Sequence, residues 1–281
     1  MFTNNPFAEL SASIPPSVMQ TYVILMILLV VGGTVFDVIH KQSAKYFFRA
    51  GKKSEDNAKR EVGGGEKVSL AIQTTASEVL TSSEFCNPKR RVAHLLGMYG
   101  FVIYLIATIV MVFSYPTATS GTPAIWPALW CIGALMVCVG GYWFWFFIRV
   151  DVASEGNSPF RIVRADLFIL SLLASCTLGL IWAYLQSAGS IVGASLFLGL
   201  YLIASTVLFA GIPWSKFSHM FFKPAAAFQK KLSGANGSMA NLPSPADRTS
   251  PEDSERHSME LLKDAPLNMG LGIKREQPHH Y

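Results

Sequence analysis

Lysine and arginine are missing from most of this chain: none occurs before Lys41, none between Arg91 and Arg149, and none between Arg164 and Lys216. Each gap coincides with apolar sequence, which excludes an ordinary soluble domain, whose basic residues are scattered over its surface. Cysteine is also scarce. Cys86, Cys131, Cys138 and Cys176 include no C-x-x-C pair and three of them sit in apolar runs, which argues against a disulfide, a zinc site or an iron–sulfur cluster held by this chain alone. No nucleophile–base constellation, Walker loop, G-x-G-x-x-G or H-E-x-x-H is present, so no catalysis is expected of the chain by itself. No repeat recurs at a fixed period.

The residues present are 51% hydrophobic and 15% charged. Apolar runs cover Thr21–Ile39, His94–Tyr115, Ile125–Ile148, Leu167–Gln186 and Ser190–Ile212. Each approaches the roughly 20 residues that a helix needs to cross about 30 Å of hydrocarbon. The expected fold is all-α, an integral membrane bundle of five helices. The 23 basic residues divide as 11 in Lys41–Arg91, 3 in Arg149–Arg164 and 9 from Lys216 onward. The positive-inside rule then places the N-terminus outside, the C-terminus in the cytoplasm, and both long polar stretches in the cytoplasm. The basic pI reports topology and implies no nucleic-acid partner. Residues 1–20 carry Glu9 as their one charge, without the basic start of a cleaved signal, so the first run is expected to be retained as a helix.

The expected organisation is a short outer segment, 1–20, a membrane domain, 21–230, and a disordered cytoplasmic tail, 231–281, rich in Ser, Pro, Gly, Asn and acidic residues. His257, His279 and His280 fall in that tail, where no preorganised metal site is expected. The cytoplasmic connection 41–92 opens with Lys41, Lys45, Arg49, Lys52 and Lys53, a juxtamembrane basic cluster. Val68, Ala71, Ile72, Ala76, Val79 and Leu80 then recur at helical spacing, as in a short amphipathic helix lying on a membrane, on a partner or in a self-packed loop.

Two histidines stand where a buried ligand would be useful. His94 opens the second apolar run, directed from cytoplasm to outside, and His219 follows the fifth, directed the other way. Both therefore arrive near the cytoplasmic face, a geometry for two axial ligands of one haem. Interfacial helix-end histidines are the plainer reading of the same pattern, and it is the one preferred for His40. Tyr142, Trp143 and Trp145 read as an aromatic belt or as the wall of a quinone or haem pocket, and Gly140-Gly141 as a site of close helix approach. A small transporter would be expected to show broken helices or charge at mid-depth, and the smooth runs show neither.

PWSKFSHMFFKP (213–224) resembles the end of the fifth helix in the gamma subunit of respiratory nitrate reductase and in heterodisulfide-reductase-like membrane cytochromes b. RRVAHLLGMYGF (90–101) resembles the second helix of that group. Arg164-Ala165-Asp166 with Thr177 and Gly179 resembles the fourth. EFCNPKRRVAH (84–94), with its long preceding loop, is similar to the membrane anchors of dissimilatory adenylylsulfate reductase in sulfur-oxidising bacteria. The resemblance implies an anchor and electron-transfer subunit in a bacterial inner membrane. It would link cytoplasmic flavin and iron–sulfur subunits to quinone through one b haem on the cytoplasmic side, with His94 and His219 as axial ligands. Arg91 and Lys216 would pair with the haem propionates, although Arg91, Arg161, Arg164 and Lys216 also read as plain topogenic charges or as docking sites for an acidic partner. Where the group carries ligands of a second, outer haem, this chain has Tyr104 and Tyr201, so that haem is not implied. A haem-free docking platform is the alternative.

Overall fold

The computed structural model describes residues 2–40, 43–83, 85, 87–151, 156–163, 166–214, 219–240 and 242, without the side chains of residues 43, 214 and 219–221. The expected disordered tail thus lies mostly outside the described residues. The described residues are helical, with no strand. Five of their helices are long and apolar enough to cross a membrane, as a multi-pass membrane protein requires. They are α2 (Pro16–His40), α5 (Pro88–Ser114), α6 (Ile125–Trp143, continued by a π-helical turn, Phe144–Ile148), α7 (Leu167–Ser187) and α8 (Ile191–Gly211). The shorter helices are α1 (Pro6–Leu10), α3 (Ser43–Asp56), α4 (Gly64–Thr74) and α9 (His219–Ala235). The chain divides into a membrane unit, Met1–Ala44 with Thr81–Lys223, and a second unit, Lys45–Leu80 with the chain from Pro224.

In the membrane unit, α5 packs closely on α6 and α7 on α8, while α2 lies more loosely against α8 and α5. Two helix starts have the same cause. Asn87 caps α5 ahead of Pro88 and Asn5 caps α1 ahead of Pro6, each side-chain oxygen accepting two of the first free N–H groups. Asn5 also ties one end of the bundle together, since its Nδ2 donates to Tyr115 O at 2.9 Å and to Thr122 Oγ1 at 3.1 Å. Gln186 Nε2 donates to Pro6 O at 2.7 Å at the same end. Antiparallel neighbours therefore bring Lys89, Arg90, Arg91, Arg149, Arg161 and Lys223 to the opposite end. The outward face of α2 exposes Ile24, Leu25, Leu28, Val31 and Val35, an apolar surface suited to lipid.

Arg149 is no simple topogenic charge. It is 1% exposed and its guanidinium bonds Asp166 Oδ2 at 2.5 Å, Arg161 O at 2.8 Å and Ser158 O at 3.1 Å. Trp145 lies under it, 4.1 Å from ring centroid to guanidinium. The aromatic-belt expectation is corrected at this residue: the π-helical turn directs Trp145 inward, and Phe146 and Phe147 face out instead.

The second unit is held by small polar groups. Ser54 Oγ lies 2.8 Å from Ser233 Oγ and 2.9 Å from Ser238 Oγ, and Asn236 Nδ2 donates to Ser54 O at 3.1 Å. Asn236 O accepts from the backbone N–H groups of Lys59 and Arg60. Ordered chain thus continues past Lys231, because the 45–60 segment gives the end of α9 a polar face to bond. The amphipathic reading of 66–80 takes the form of α4 followed by a π-helical turn, Thr75–Leu80. Thr74 is buried while Val68 and Ile72 are exposed. Arg60 grips Glu66 with both terminal nitrogens, at 2.5 and 2.9 Å. Hydrogen bonding from Arg60 pulls the Glu66 carboxyl below its usual range. Whatever this exposed pair contributes is present above the ordinary glutamate pKa and lost as pH falls through the lowered one. A carboxyl NMR titration should give Glu66 a low midpoint that rises in Arg60→Gln; equal midpoints would mean that the pair does not form in solution.

Candidate functional site

His94 lies in the second turn of α5 and is exposed, its ring 4.8 Å from that of Phe85 at 47°. Phe85 also has Arg90 over it at 5.9 Å and Lys223 at 5.8 Å. Lys223 follows His219 by one turn of α9, so the first turn of α9 and the second turn of α5 meet at a single aromatic ring. The side chain of His219, like Lys216 and Arg164, lies outside the described residues. Arg91 has a structural partner, its Nε donating to Thr81 O at 2.7 Å. His40 stacks on Phe36, centroids 5.6 Å apart, at the end of α2.

For a haem, the fit is one of donor type and placement. Among the described side chains the donor is the exposed imidazole of His94 on α5, with two cations, Arg90 and Lys223, at the neighbouring Phe85 ring. Among the described residues no cluster of three or more His, Cys, Asp or Glu could hold a bare metal ion. Cys131, Cys138 and Cys176 are free thiols, while Cys86 lies outside the described residues.

The other arrangement of note is at mid-depth. Tyr104 (α5) donates its hydroxyl proton to the Tyr201 (α8) oxygen at 3.0 Å, and both residues are buried. Trp130 stacks on Tyr104 at 5.1 Å, and Trp182 on Tyr201 at 5.6 Å. Trp130 Nε1 donates to Thr108 Oγ1 at 3.0 Å, and Thr108 in turn to Tyr104 O at 2.8 Å. Gly179 makes room for the pair, since a Cβ there would stand 3.2 Å from Tyr104 Oη and 3.3 Å from Tyr201 Cε2. The positions compared above with outer-haem ligands are thus filled by interlocked aromatic rings.

Beside this pair a cleft of about 260 Å³ opens between α2, α5 and α8, with Ser175 of α7 on its wall. Apolar side chains such as Met26, Val30, Phe101, Leu105 and Phe209 form most of the lining; the polar groups are hydroxyls, those of Tyr22, Tyr104, Thr108, Ser175, Tyr201 and Ser205. Tyr22 Oη donates to Leu202 O at 3.1 Å, and Ser175 and Ser205 bond each other at 2.8 Å. Among the described side chains, that of His94 does not line the cleft. The sequence reading did not find this site, although Tyr104/Thr108 and Tyr201/Ser205, each pair four residues apart, mark one polar face on each helix.

No family model matches the chain, and comparison with curated proteins and with solved structures yields no match.

Proposed function

We propose that the chain is a membrane anchor and electron-transfer subunit that joins a cytoplasmic oxidoreductase to the quinone pool of a bacterial inner membrane. The carrying observation is the convergence at one end of the bundle: the described basic residues of the membrane unit gather there, and Arg90 of α5 and Lys223 of α9 meet there at Phe85. By the positive-inside rule that end is cytoplasmic, with the N-terminus outside and the C-terminus inside. Lys89 and Arg161, both exposed, offer charge to an acidic partner. The partner implied by the sequence resemblance is adenylylsulfate reductase of dissimilatory sulfur metabolism. His94 and His219 are the residues that would hold a b haem, with Arg90 and Lys223 nearer to hand for its propionates than Arg91, which is bonded to Thr81. When bound, that group would supply one-electron transfer between enzyme and quinone.

A haem-free anchor is the second reading, favoured by one observation: Phe85 lies against the His94 ring. A reduced-minus-oxidised spectrum of the purified complex separates the two. The electron-transfer reading expects a b-type band that His219→Ala abolishes while membrane insertion persists; a full band in that variant would refute the ligand assignment. Deleting the chain from its host should move adenylylsulfate reductase activity from the membrane to the soluble fraction, and activity that stays on the membrane would end the anchor reading as well.

A further inference from the structure

A concave surface inside a bilayer is filled by whatever lipid fits it best, and the lining of the 260 Å³ cleft narrows the choice. Among the described residues no Lys, Arg, His, Asp or Glu contributes to it, so a charged head, phosphate or carboxylate, finds no counter-ion among them. A plain acyl chain would match the walls of Met26, Val30, Leu105 and Phe209 but not the floor. There, Tyr201 is 5% exposed, its oxygen accepts from Tyr104 at 3.0 Å, and its hydroxyl lies within hydrogen-bonding reach of Ser205. Its neighbour Ser205 is bonded to Ser175. Hydroxyls of Tyr104, Ser175, Tyr201 and Ser205 thus share the floor, and a ligand that accepts from one of them gains a hydrogen bond that an acyl chain cannot make.

We propose that the cleft between α2, α5 and α8 is a binding site for a long-chain lipid whose neutral head carries a carbonyl acceptor, the head taking its hydrogen bond from Tyr201 and the tail lying along α2. Both isoprenoid quinones and acylglycerols have that chemistry. The site would give quinone a place in the function proposed above, but it needs neither haem nor partner enzyme and can be tested on the purified chain.

The chain in lipid nanodiscs is titrated with decylubiquinone, read by quenching of Trp130 and Trp182, which stack on the two tyrosines. Saturable binding is expected, with decylbenzene and decanoate failing to compete. Dioctanoylglycerol distinguishes the sources: competition assigns the site to carbonyl lipids in general, and its absence assigns it to quinones. Tyr104→Phe/Tyr201→Phe keeps both rings and removes both phenol protons, and should weaken decylubiquinone about three- to tenfold, the worth of one hydrogen bond. Ser205→Leu, which fills the floor, should abolish binding; if it does not fold, the double phenylalanine variant still decides. Unchanged affinity in that variant, or equal competition by decylbenzene, overturns the proposal and leaves only an acyl-filled groove. A missing b-type band bears on the function reading and leaves this one standing.

Discussion

Arg149→Met is expected to destabilise the membrane unit by about 3–5 kcal/mol, the usual cost of removing one partner from a buried ion pair. The size follows from what is left behind. Asp166 keeps a carboxylate that is 12% exposed and has lost its 2.5 Å partner. The Arg161 carbonyl loses the guanidinium donor, the Ser158 carbonyl is left with the Arg161 N–H alone, and Trp145 loses the cation stacked on its face. Methionine restores part of the apolar contact of the arginine stem but none of the fork. Arg149→Lys should fall between, because one ammonium cannot serve three acceptors held in a guanidinium's geometry. The double variant Arg149→Met/Asp166→Leu should regain most of the loss, since no charge is then stranded. Thermal or SDS-induced unfolding of the purified protein, read by the tryptophan signal, measures all three. A single Arg149→Met that loses less than about 1 kcal/mol would mean that water reaches the pair and that it contributes little.

The five spans were legible because nothing competes with a run of about twenty apolar residues: hydrocarbon requires that the backbone satisfy itself, and only a helix does so within one segment. Their alternation follows from charge placement and short connections. Arg149 entered only the count of basic residues, because a basic residue at a span end looks the same in sequence whether it meets water or Asp166, seventeen positions on. The end of α9 and its Ser54–Asn236 network escaped notice for a related reason. Ser, Gly and Asn read as loop until a second segment supplies their hydrogen bonds, and that segment lies about 180 residues away. His94 was legible as a position on α5, but not the packing of its ring against Phe85, nine positions back. The tyrosine pair was seen only as a departure from a resemblance. Its meaning is spatial: Tyr104 and Tyr201 are 97 positions apart and share one hydrogen bond.

Gly100→Ala should be strongly damaging for a single-methyl change, whereas Gly97→Ala, one turn earlier on α5, should be near neutral. A Cβ at Gly100 would stand 2.7 Å from Gly133 O, 2.8 Å from Met136 Cβ and 2.9 Å from Val137 N. Two of those three are α6 backbone atoms, which cannot swing aside like the end of a flexible side chain. Gly133 repeats the constraint from the other side, its own Cβ position lying 2.7 Å from Gly100 O and from Tyr104 N. Without a hydrophobic force between helices in lipid, α5 and α6 are held by this close approach and the dispersion contacts that it allows. A methyl at Gly100 therefore pushes the helices apart along the seam, at a cost of about 1–3 kcal/mol. The displacement would also carry Tyr104 away from Tyr201 and Trp130, so decylubiquinone affinity should fall together with stability. At Gly97 a Cβ meets nothing within 4 Å, and the added side chain only reduces backbone freedom, worth up to about 0.5–1 kcal/mol in the stabilising direction. Unfolding midpoints of the two variants in the same detergent measure the contrast. Equal midpoints would mean that the α5–α6 contact relaxes more readily than a glycine-to-backbone seam permits, and that the tyrosine pair is positioned by α7 and α8 alone.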